Sequence, residues 1–185
     1  GAIYLLGWGL ETARRVATRS GAPLPDVDFG TYLGHGFKAF VVSLVYTLPV
    51  WVLTLPMVIA AVVAQNAGMD TNAIYTIVTL VNVCGGLLIM VYALLMGLVL
   101  PAAYTRTVVF GSIKAGLQIK DVFGLFRAAP GAYLMALIGT LAAGLVASIV
   151  GSLACGIGIV FTIAYYQVVM GHFYGQAYLQ SISKS

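Results

Sequence analysis

Residues 131–153, GAYLMALIGTLAAGLVASIVGSL, decide the fold class. The run has no charged residue, and at about 1.5 Å per residue it is long enough to cross a hydrocarbon core of roughly 30 Å as a helix. Wound as a helix it carries two adjacent ridges of small residues at four-residue spacing. One holds Ala136, Thr140, Gly144, Ser148 and Ser152; the other holds Gly139, Ala143, Ala147 and Gly151. Such ridges let a neighbouring backbone approach closely, and close packing is what joins helices in lipid. Leu137, Leu141, Leu145 and Ile149 lie on a different face and are expected to meet lipid. The stretch reads as a transmembrane helix against which others pack, with Gly139, Gly144, Ser148 and Gly151 as packing positions.

The rest of the chain has the same character. Of its 185 residues, 61% are hydrophobic and 8% charged, where a soluble domain carries about 25% charged. This places it among all-α polytopic membrane proteins, as one helical bundle over residues 1–185 with no polar linker. The net charge of +4 comes from bases in short loops between apolar runs, which fits membrane topology better than nucleic-acid binding. Cys84 lies within an apolar run and Cys155 in a turn, at depths too different for the Cα separation of about 7 Å that a disulfide tolerates. Both are expected as free thiols.

In chain order, residues 1–10 read as the last part of a transmembrane helix that begins upstream, stopped at an interface by Glu11, Arg14, Arg15 and Arg19. SGAPLP at residues 20–25 is a turn, with Asp26 and Asp28 as candidate N-caps. Phe29, Phe37 and Phe40 recur at helical spacing and predict a short interfacial amphipathic helix, with the chain turning into the membrane at Lys38. Residues 39–65 form the next span. Pro49 and Pro56 fall on one of its faces and are expected to bow it, while Ser43, Thr47 and Thr54 re-satisfy freed carbonyls. Residues 73–100 form another, in which Asn82 needs a partner and is expected to face the bundle. Residues 104–127 alternate bases with apolar residues and predict a second interfacial helix, with a candidate N-cap at Asp121 and a break at Pro130. The helix at 131–153 and a last span at 158–178 complete about five spans, six with the upstream helix.

Every Lys and Arg then falls on one side, which the positive-inside rule makes cytoplasmic together with the C-terminus, leaving Asp70 and Cys155 outside. Residues 28–104 and 121–178 read as parallel repeats. Tyr92, Met96, Gly97, Ala103 and Tyr104 match Tyr166, Met170, Gly171, Ala177 and Tyr178 at constant offset.

The helix exit at Arg14 and Arg15, the turn GAPLPD, the segment DFGTYLGHGFKAFVVSLVYTLP and the closing GHFYGQAY resemble the bacterial and archaeal multipass membrane proteins grouped as domain of unknown function 4013. The resemblance runs over nearly the whole chain. Its most specific parts are residues 23–28, 36–38, 46–49 and 171–178. It implies about six helices and a prokaryotic cytoplasmic membrane. That family has no assigned activity, so no catalytic residue carries over.

Chemistry-bearing residues are few. His172, on the last helix near the cytoplasmic boundary, could ligate a haem iron or a chlorophyll-type magnesium; the competing reading is an interfacial histidine bonded to water, backbone or tyrosine. His35, between Gly34 and Gly36, is expected in an exposed bend. No acidic residue lies inside a span, which counts against coupled ion transport. Ser43, Ser148 and Ser152 lack a histidine and acid at matching depth, and there is no HExxH, CxxC or phosphate-cradling motif, so an enzyme is not expected. The favoured reading is a non-catalytic integral membrane protein, a scaffold, assembly factor or accessory subunit of a larger membrane complex, with membrane lipids and other integral subunits as partners. It rests on the small-residue faces and on the GxxxG of Gly171 and Gly175. Arg14, Arg15, Lys114, Lys120 and Arg127 are expected to meet anionic headgroups. A small transporter or channel-like protein, and a pigment- or haem-associated subunit through His172, are the alternatives.

Overall fold

The computed structural model describes residues 1–21, 28–66, 71–153 and 157–184, and every regular element among them is helical: α1 (Ala2–Ala17), α2 (Phe29–Asn66), α3 (Thr71–Val109), α4 (Ile113–Leu117), α5 (Ile119–Ala128), α6 (Pro130–Leu153) and α7 (Ile157–Ile182). Among the described residues, three helical stretches can by length and composition cross a membrane: Phe29–Asn66, Asn72–Val109 and Pro130–Leu153. The chain divides into two compact units, Gly1–Ser43 with Gly97–Ser185, and Leu44–Met96.

In the larger unit α1 is the centre. Its glycines take the backbone of a neighbour where any side chain would collide. A Cβ at Gly7 would overlap the carbonyl oxygen of Tyr32 on α2, and one at Gly36 the carbonyl of Ile3 on α1. On the other side a Cβ at Gly9 would meet Gln167 O of α7 at 2.6 Å, one at Gly171 would overlap Gly9 O, and one at Gly175 would lie 2.7 Å from Ala13 O. Gly9 and Ala13 on α1 therefore mesh with Gly171 and Gly175 on α7, two small-xxx-small pairs seated on each other. Leu10, Ala39 and Val108 form the buried cluster beside this crossing, with Leu6, Tyr104 and Tyr174 packed against it. The α3–α4 turn passes through Gly111 at φ +64°, a conformation that favours glycine, and Lys38 Nζ donates to the Gly111 carbonyl at 2.8 Å.

α6 packs along α7. Ala136, Thr140 and Gly151 are buried there, and Gly139 receives the Phe173 ring. Gly144 is only in ordinary contact with the Tyr166 ring at 3.5 Å, and Ser148 and Ser152 are exposed. The ridge expected to be continuous is thus split, because the line of contact with α7 follows the residues at 136, 139, 140 and 151. Leu141, Leu145 and Ile149 are exposed, whereas Leu137 reaches Gly97.

In the smaller unit, the α2 and α3 segments meet where Met57 Sδ rests on Gly85 and where the Tyr92 hydroxyl donates to the Tyr46 carbonyl. Most of its large apolar side chains point outward, Trp51, Val52, Leu80 and Leu94 among them.

Several sequence expectations change here. The interfacial helix expected at residues 28–40 is not separate: α2 runs from Phe29 through Lys38 to Asn66 as one helix. Nothing before Pro49 interrupts its hydrogen bonds, whereas Pro130 disfavours helical geometry at Ala129 and divides α5 from α6. Helicity persists through Pro49 and Pro56, with Ser43, Thr47 and Thr54 donating to the carbonyls of Phe40, Leu44 and Trp51. Asp28 caps α2, its carboxylate accepting from the Thr31 backbone N–H. Asp121 is not the N-cap of α5, because the helix already starts at Ile119 and holds Asp121 within its first turn, where its carboxylate pairs with Arg106 at 2.8 Å. Asn82 is exposed, its Nδ2 bonded to the Val78 carbonyl of its own helix. The turn at residues 22–25, Asp26, Asp70 and Cys155 lie outside the described residues.

Gly171→Leu should lower detergent thermal stability by about 1–3 kcal/mol or more, since the backbone of α1 has no room to yield. Gly144→Leu should cost less, because the Tyr166 ring can turn, and Gly34→Ala, with open space around its Cβ, should be close to neutral. Equal tolerance of Gly171→Leu and Gly34→Ala would show that the α1–α7 crossing does not hold the unit together.

Candidate functional site

The concentration of charge in the described structure is at the C-terminal end of α1, just beyond its apolar first ten residues. Glu11 is 2% exposed, which for a carboxylate demands partners. Helical spacing supplies two of them from the same turn: Arg14 Nη2 at 2.6 Å from Oε1 and Nε at 2.8 Å from Oε2, a bidentate fork, and Arg15 Nε at 3.2 Å from Oε1. The third comes across the helix interface, His35 Nδ1 of α2 at 3.3 Å from Oε2, at ion-pair distance without the alignment of a hydrogen bond.

Burial by itself would raise the Glu11 pKa. The close contact with His35 and the N–H groups of Arg14 and Arg15 outweigh it and lower the carboxyl to about 2, so it stays ionised throughout the neutral range. With two guanidiniums around one carboxylate the cluster keeps a surplus positive charge at a helix C-terminus, where the peptide dipoles favour it. Arg14 presents it outward, 38% of its side chain being exposed. Chemically the arrangement is a fastening: both carboxylate oxygens are occupied by cations, and the group is too acidic to accept a proton near neutrality.

In the sequence Glu11 reads only as part of a stop signal and His35 as an exposed bend. His35 instead lies within α2, its side chain 13% exposed. It turns inward because Gly36 lets α2 come against α1. The signal available beforehand was the i, i+3, i+4 spacing of Glu11, Arg14 and Arg15; the partner on α2 has no local signature.

The remaining candidates are dispersed. His172 is exposed on α7, in a cleft of about 310 Å³ shared with Gly131, Ala132, Met135, Phe173 and Gln176. Among the described residues no three His, Cys, Asp or Glu side chains come together as a metal site. Gly171 and Gly175 are at the α1 crossing and Gly139 and Gly151 are against α7, while Gly144 and Ser148 line a separate groove of about 410 Å³ with Tyr166 and Thr162. Lys114, Lys120 and Arg127 are exposed on α4 and α5, the Arg127 guanidinium 5.9 Å from the Phe123 ring centre.

Because the folded pKa of Glu11 is lowered from 4.5 to about 2, its stabilising contribution is complete above the unfolded value and is lost as pH falls through the folded one. Glu11→Gln should therefore unfold more easily than the wild type at neutral pH, by about 1–3 kcal/mol for hydrogen bonds to charged groups. The gap between the two chains should close as pH drops from about 4.5 toward 2. Thermal unfolding in detergent across that range measures it, and a gap independent of pH would show that the carboxylate's charge is not what Glu11 contributes.

No curated protein and no solved structure matches this chain. The match to a family stops before the GHFYGQAY segment at residues 171–178, which is among the most specific parts of the resemblance in the sequence. Residues 1–156 match the family described as protein of unknown function (DUF4013), and with most of its length so matched, the chain belongs to that family.

Proposed function

We propose that the protein is a non-catalytic integral membrane protein of the prokaryotic cytoplasmic membrane, serving as scaffold, assembly factor or accessory subunit of a larger membrane complex. The observation that carries this reading is the contrast between its acids and its surface. Each described carboxylate is spent on structure: Glu11 on Arg14 and Arg15, Asp28 on the first turn of α2, Asp121 on Arg106. The outward faces of α2, α3 and α6 meanwhile offer long apolar surface, with no charged side chain on the described part of these faces beyond Arg106 and Lys38 near the helix ends. In hydrocarbon such faces are covered by lipid tails or by other helices.

In this reading the apolar residues 2–10 of α1, with Glu11 at the boundary, and α7 join the three long apolar helices as crossings, giving five. The Lys and Arg residues, with the C-terminus, face the cytoplasm. α5 lies at that interface, its Val122 and Leu125 buried on the protein and its Lys120 and Arg127 beside anionic headgroups, each worth roughly 1 kcal/mol near the surface. His172 stays bonded to its surroundings and carries no pigment.

Purification in mild detergent, with native mass spectrometry of what comes with the chain, tests the function. A second integral membrane protein in fixed stoichiometry is expected, and a preparation that alone carries an ion flux in vesicles would overturn the reading. Reporters fused between Asn66 and Asn72 and at the C-terminus should report outside and inside respectively; the reverse would invert the topology. The purified chain should show no visible absorbance band, and a band lost in His172→Ala would establish a bound haem or pigment.

A further inference from the structure

The outer face of α3 holds a polar group that the chain itself leaves half-satisfied. Asn82 is exposed, and among the described residues its one hydrogen bond runs from Nδ2 to the Val78 carbonyl. A carboxamide has two donors and an acceptor that takes two bonds, so an N–H and the Oδ1 still look outward. At about 1.5 Å per residue Asn82 lies roughly 16 Å along α3, near mid-depth of a hydrocarbon core about 30 Å thick. Lipid tails offer it nothing to bond.

The surroundings of Asn82 suit a second helix. One turn on, Gly86 is exposed, and a Cβ built there would meet nothing within 4 Å, so a partner backbone can come close. Thr79 shares this side of the helix at three-residue spacing and is also exposed. Alongside runs a groove of about 290 Å³ lined by Thr54, Met57, Val58 and Ala61 of α2, with room for side chains from outside.

We propose that the chain self-associates about a two-fold axis along the membrane normal, through the α3 face bearing Thr79, Asn82 and Gly86, with the Asn82 carboxamides of the two copies hydrogen-bonded to each other. A carboxamide is self-complementary, donor to acceptor in both directions, which is what an isologous contact requires. Two copies inserted with the same topology hold Asn82 at the same depth by construction. An unrelated helix would have to bring a polar residue to that depth. The absence of charge on this face removes the repulsion that like copies would otherwise meet. This inference rests on the reading of α3 as membrane-spanning, and it deepens the lateral-packing function by naming one partner as a second copy.

The test uses the full chain in detergent micelles and in vesicles. The wild type should dimerise, and Asn82→Leu should raise the dimer dissociation constant by between about three- and thirtyfold, the range expected for interhelical hydrogen bonds in membranes. Independently, in a Cys155→Ser chain, Thr79→Cys combined with Cys84→Ser should form disulfide-linked dimers under mild oxidant. The native Cys84, two residues from Asn82 and so on nearly the opposite side of the helix, should not. A monomeric wild type, an Asn82→Leu chain that dimerises as tightly, or cross-linking through Cys84 in preference to the Thr79→Cys variant would each overturn the proposal. A monomer that still co-purifies with another subunit would leave the accessory reading standing, while a dimer that alone conducts ions would sink that reading and leave this interface in place.

Discussion

Contact between backbones at the glycines of α1 is the constraint on which the larger unit depends. In lipid, two helices gain little by hiding apolar side chains from each other, because the tails they displace are equally apolar. What they gain is dispersion, which falls away within an ångström of the optimal separation. Gly7 against Tyr32 and Gly36, and Gly9 with Ala13 against Gly171 and Gly175, bring three helices to the distance at which that gain is largest. Leu10, Ala39 and Val108 fill the space beside the crossing, and the positions of α2 and α7 follow from it.

Close approach also explains how a carboxylate can be buried at the end of α1. Once Gly36 has drawn α2 in, its neighbour His35 stands over Glu11 and the two arginines close the other sides. Water is replaced by cations at hydrogen-bonding distance, which is why the acid is strengthened in spite of its burial. The cluster adds direction to the packing: the glycines allow helices to approach, and Glu11 with His35 sets which turn of α1 faces which turn of α2. About one turn further along α2, Lys38 donates to the Gly111 carbonyl and ties α2 to the α3–α4 turn.

The smaller unit is built with fewer such devices. Met57 on Gly85 and the Tyr92 hydroxyl on Tyr46 join its two segments, while most of its large apolar residues face out. A surface so apolar is at rest only in lipid or against another helix. Asn82 distinguishes one side of it from the rest.

Composition and periodicity by themselves determined that the chain is helical and apolar enough for a membrane, because hydrogen-bond satisfaction in lipid leaves a chain of this composition few alternatives to the helix. They also located the small residues, Gly139, Gly151, Gly171 and Gly175 among them, since four-residue spacing is a local property. The partners of those residues were not legible. The ridge at 136–152 looks like the stronger packing face in the sequence, yet its Ser148 and Ser152 are exposed, while the tighter crossing is made by Gly7 and Gly9 in a stretch too short to attract notice. His35 looked like a bend because two glycines flank it, and it became a buried partner of Glu11 because one of those glycines admits α1. Tertiary structure alone decided these points: a glycine records that something can come close, and only the path of the other helices determines what does.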